Sequence, residues 1–119
     1  MNLSEAIETI RFHAVDPQGA NLLMLNGENP GLAALTHLDN ALEHVYSKTV
    51  RNSELPRDVA LGCGTLLQYK QDYRYIMKMR HESEYDELKR PLAQITQRAY
   101  DILAGDYSFA WQVEIPKEN

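Results

Sequence analysis

The stretch Leu32-Ala33-Ala34-Leu35-Thr36-His37-Leu38-Asp39-Asn40-Ala41-Leu42-Glu43-His44-Val45 decides the fold. Leu32, Leu35, Leu38, Leu42 and Val45 recur three or four residues apart, with Ala34 and Ala41 small enough to let a neighbour approach. At 3.6 residues per turn this spacing winds one apolar stripe along a helix, and other helices must cover that stripe. Asn29-Pro30 just ahead supplies a cap and a first-turn proline, so the helix is predicted to run to about Lys48. Thr49 to Pro56 then reads as a loop.

The same logic extends in both directions. Asn2 with Glu5 three residues on forms a capping-box pattern. Leu3, Ala6, Ile7, Ile10 and Ala14 follow at helical spacing, and Pro17 stops that helix. Residues 17–25, closed by Asn26-Gly27, fit a short helix or a strand, with helix preferred. A long helical pattern begins near Pro56, with Val59, Cys63, Leu66, Leu67, Tyr73 and Met77 as core candidates. Gly62 and Gly64 inside it imply close backbone packing or a local break. The pattern reaches about Glu87, and Pro91 is predicted to interrupt it. A last helix then carries Leu92, Ile95, Ala99, Ile102 and Leu103 to a stop at Gly105. Residues 57–104 fit either one kinked helix or a hairpin, with the hairpin favoured.

Beyond Gly105 the period changes to two. Tyr107, Phe109, Trp111, Val113 and Ile115 alternate with smaller or polar residues, which predicts a strand or extended arm. The expected fold is therefore mainly α. One domain covers residues 1–119, with a bundle of four or five helices over 1–105 and an aromatic arm over 106–119. A chain of 119 residues suffices for such a core without disulfides or metals.

Composition narrows the function. Apolar residues make up 44% and charged residues 24%, as in an ordinary globular domain. One cysteine excludes an internal disulfide. The opening residues have no leader-like pattern, and no apolar run is long enough for a membrane span. The expected location is cytoplasmic. The net charge of −5 is unevenly spread: residues 1–47 sum to −5, residues 48–80 to +4 and residues 81–119 to −4.

No phosphate-binding loop, dinucleotide fingerprint, nucleophile elbow or Cys-x-x-Cys is present. His37 and His44 lie seven apart on one helix face but lack the further ligands of a metal site. His44 with Lys48 resembles part of the histidine phosphotransfer pattern, though the lysine comes one residue late and no glycine follows. Glu5/Glu8 and Glu84/Glu87 resemble fragments of the Glu-x-x-Glu pairs of all-helical nucleotide pyrophosphohydrolases. The matching Glu-x-x-Asp and the order of the pairs are missing. Cys63 falls on an apolar face, where a thiol packs as a small hydrophobe. Neither a catalytic residue nor a metal or cofactor site is assigned.

The most informative segment for function is residues 69–81. Lys70, Arg74, Lys78 and His81 are spaced four, four and three, which predicts one basic ridge with Arg80 nearby. Tyr69, Tyr73 and Tyr75 lie beside it. Cations interleaved with aromatics suit a protein partner, an anionic ligand, a nucleotide or nucleic acid. The leading expectation is a non-enzymatic interaction protein, of the inhibitor, adaptor or antitoxin kind, that binds another protein or itself. Its contact residues would be Tyr69, Lys70, Tyr73, Arg74, Lys78, Arg80 and His81. Tyr107, Phe109 and Trp111 would mediate homo-oligomer or partner contact. An anionic-ligand or nucleic-acid binder is the alternative, and a metal-dependent nucleotide hydrolase is a second one.

Overall fold

Asn2 begins the first helix as its sequence requires. Its side chain accepts the Glu5 amide at 2.8 Å, and the Glu5 carboxylate accepts the Asn2 amide at 3.1 Å, which satisfies two otherwise orphaned donors. The computed structural model describes the backbone of residues 1–49 and 55–118 and the side chains of residues 1–48 and 55–105. The described residues form six helices: α1 (Leu3–Val15), α2 (Ala20–Leu25), α3 (Leu32–Thr49), α4 (Arg57–Gln68), α5 (Lys70–Arg80) and α6 (Glu82–Glu118). No helix among the described residues is long and apolar enough to cross a membrane.

Four helices form a ring. α1 packs on α3 and α4, and α6 packs on the same two helices from the opposite side. The seam read from the sequence supplies the interior: Leu35, Leu38, Ala41, Leu42 and Val45 of α3 are buried. They meet Ala6, Ile10 and Ala14 of α1, Val59, Cys63 and Leu66 of α4, and Leu88, Leu92, Ile95, Ala99 and Ile102 of α6. Gly62 allows the α1–α4 contact, since a β-carbon there would stand 2.7 Å from Cγ2 of Ile10. Gly64, its neighbour in the pattern, faces open space.

The short helices α2 and α5 pack on each other and close one end of the ring. α2 is helical, which settles the ambiguity over residues 17–25. It ends in a Schellman turn: Glu28 N–H donates to the Leu23 carbonyl, Gly27 N–H donates to the Met24 carbonyl, and Gly27 takes φ +87°. Asp16 accepts the Gln18 amide in the turn after α1, and Asn29 accepts the Gly31 amide in the turn before α3.

Three readings of the C-terminal half are corrected. Residues 57–104 form neither one kinked helix nor a two-helix hairpin, because the chain breaks at Tyr69 and again at His81. Pro91 does not restart a helix; α6 runs through it. Proline there removes the i+4 donor of the Glu87 carbonyl. Glu87 is exposed, so solvent can serve that carbonyl instead. Finally, the backbone of α6 continues as helix to Glu118 where alternation predicts a strand. The single internal segment that could have paired with that strand, residues 20–25, is itself helical. The side chains of Tyr107, Phe109 and Trp111 lie outside the described residues, and with them the expected oligomer contact.

Candidate functional site

α5 carries the basic, tyrosine-rich segment, and its packing divides that segment in two. Tyr73 and Met77, four apart, are fully buried and anchor the helix to the core. The Tyr73 hydroxyl donates to the Leu66 carbonyl at 3.3 Å, and burial pushes its pKa up to about 12. Tyr69 is half-buried against the same core. Tyr69 and Tyr73 are thus largely withdrawn from the surface on which the sequence places them.

The cations part company as well. Lys70 and Arg74 sit on the flank that faces α6. The Arg74 guanidinium is half-buried, and its Nη2 donates to Thr96 Oγ1 at 3.0 Å. His81, also half-buried, bonds through Nε2 to the Gly27 carbonyl at 2.9 Å, with Nδ1 3.6 Å from the Glu84 carboxylate. Arg80 is exposed but lies across Gly27: a β-carbon there would come within 2.9 Å of its Cδ. His81 and Arg80 therefore clamp the end of α5 to the turn after α2.

Tyr75, Lys78 and Met79 are left facing outward. Tyr75 is 65% and Met79 64% exposed, four residues apart on one side of the helix. Lys78 stands beside them, also exposed. The predicted single ridge is replaced by an outward pair, Tyr75 and Met79, beside Lys78, which has no ion pair among the described residues, and an inward pair of cations against α6.

A second concave region lies between α1 and α3. This groove, about 950 Å³, is lined by Glu5, Glu8, Phe12, His13, Ala33 and His37 among others. His13 is buried, and its Nδ1 accepts the Ala20 amide at 3.2 Å, so its proton sits on Nε2. Burial, and to a lesser extent the nearby His37, lowers its pKa to about 4. The His37 ring stands edge-on to it, with centroids 5.8 Å apart. The sequence pairs His37 with His44 by helical spacing; the fold pairs it with His13 across two helices, which no local period reveals.

The carboxylate pairs that the sequence singles out are not brought together. Glu5 and Glu8 line the α1–α3 groove, whereas Glu84 accepts a bond from Asn29 and does not line that groove. Among the described residues no three metal-ligating side chains come together. Cys63 is buried, and burial pushes its thiol up to about 12, far from the range of a nucleophile. No known protein family, curated protein or solved structure matches the chain, so the functional reading rests on these residues.

Proposed function

We propose that this is a non-enzymatic interaction protein whose contact surface is the outer face of α5, and whose partner is a protein segment with an acidic rim around an apolar centre. One observation carries the reading. Tyr75 and Met79 are both about two-thirds exposed although their helix is anchored through Tyr73 and Met77 on its other side. Tyrosine and methionine are enriched at protein interfaces. Lys78 beside them favours an acidic rim on the partner, and charge of that kind speeds encounter more than it adds affinity. Nucleic acid suits the face less well, because it offers few cations on a chain of net charge −5. Self-association through residues 107–115 belongs to the same proposal.

The test is differential capture by the full chain from its native host, comparing wild type with a Tyr75→Ala/Met79→Ala double variant and a Lys78→Glu variant. A partner held by wild type and lost by both variants, with native circular dichroism throughout, supports the proposal. Identical captured proteins in all three would end it. Sedimentation of wild type beside Trp111→Ala reads the oligomer separately.

A further inference from the structure

The inward flank of α5 points to a second site, distinct from the outer face. We propose that the cleft between α5 and α6 binds a small phosphate monoester, with Lys70 as its direct cationic ligand and Arg74 as the charge behind it. The cleft has a volume of about 290 Å³ and is lined by Leu67, Lys70, Thr96, Gln97 and Tyr100. That is near the lower end of the roughly 300–1,000 Å³ usual for ligand clefts, enough for a phosphoryl group and a short organic body but not for a dinucleotide.

Its electrostatics are unbalanced. Lys70 and Arg74 are one turn apart, both half-buried, and neither forms an ion pair among the described residues. Arg74 Nη2 reaches Thr96 Oγ1, while its buried Nε has no hydrogen-bond partner among the described residues. The Thr96 hydroxyl is committed in turn to the Leu92 and Ala93 carbonyls, 3.0 Å from each. Arg74 is thus held against the cleft wall with its charge uncompensated.

No carboxylate lines the cleft among the described residues, and Asp72, in the first turn of α5, is exposed. Asp101 accepts the Gln97 amide at 2.8 Å and lines the adjoining hollow, which it shares with Arg98. A dianionic phosphoryl group would meet Lys70 directly and feel Arg74 through the Thr96 wall, which a singly charged carboxylate exploits less well. Tyr100, 58% exposed at the rim, offers its ring to the organic part of the ester.

The test is a titration of the full chain, followed by amide NMR, with inorganic phosphate and with phenyl phosphate, using potassium chloride at matched ionic strength as control. Saturable shifts at Lys70, Gln71 and Gln97 are expected with both phosphates and not with chloride. Lys70→Gln is expected to weaken both phosphates by about tenfold or more. Tyr100→Ala should weaken phenyl phosphate alone. Should Lys70→Gln disturb the spectrum, Gln97→Glu, which adds a negative charge at an exposed rim position, carries the same expectation. The proposal is overturned by no saturable shift up to on the order of 10 mM phosphate. Shifts centred on Lys78, or unchanged affinity in natively folded variants, would overturn it equally.

Discussion

The imidazole of His13 accepts the amide proton of Ala20 through Nδ1, so a side chain of α1 caps the first turn of α2. The bond exists only while the ring is neutral, because a protonated ring carries a proton on both nitrogens. The folded pKa of about 4 lies below the ordinary 6.5. The unfolded chain therefore takes up a proton first as the pH falls. The stability associated with neutral His13 is fully present above pH 6.5 and lost progressively toward pH 4. The whole effect is at most about 3 kcal/mol. Urea midpoints measured between pH 7 and pH 4 should fall along this course. His13→Asn keeps an acceptor near the Nδ1 position without a titrating ring, and should flatten that part of the profile.

Gly62 and Gly64 make a matched pair. A methyl group at Gly62 would press on Ile10 inside a packed core, so Gly62→Ala is expected to destabilise by about 1–3 kcal/mol. A methyl at Gly64 meets nothing, so Gly64→Ala should stabilise by about 0.5–1 kcal/mol through helix propensity and a less flexible unfolded chain. Chemical denaturation of the two variants should give opposite signs.

Tyr73 and Tyr75 lie two positions apart yet differ in role. Tyr73→Ala removes a fully buried ring and should cost about 3–5 kcal/mol. Tyr75→Ala removes a ring that is mostly in solvent and should change stability by no more than about 0.5 kcal/mol. Thermal melts would separate them at once. Equal losses would contradict the division of α5 into a buried and an exposed side.

The buried thiol of Cys63 predicts its own silence. With its pKa raised to about 12, it should react with a disulfide reagent at pH 8 only as fast as the protein opens. Labelling should accelerate in urea in step with unfolding, and rapid labelling of the native protein would contradict this packing.

What the sequence disclosed was what is decided locally. Asn2 with Glu5, Pro17, Asn26-Gly27 and the leucines of α3 act over a turn or two, and each does what its chemistry requires. The breaks at Tyr69 and His81 interrupt the helical pattern with no proline or glycine at or beside either position. His81 is held by the Gly27 carbonyl, 54 residues away, and Arg74 by Thr96 on another helix. One signal for the second break was available: Lys78 and Arg80 before His81, then Glu82 and Glu84 after it, the charge reversal of a helix end meeting a helix start. Helical spacing placed Lys70, Arg74, Lys78 and His81 on one ridge. It could not say that the far side of that ridge would be claimed by α6 and by the turn after α2.

The ring order has a further consequence for biosynthesis. α6 is the last wall to be made, and it lies against both α3 and α4. Until Leu88, Leu92, Ile95, Ala99 and Ile102 are delivered, a nascent chain ending near residue 80 holds three walls of a four-walled box, its leucine seam open to the cell. Released chains truncated after residue 80 should bind holdase chaperones, and chains that carry α6 through Ile102 should not.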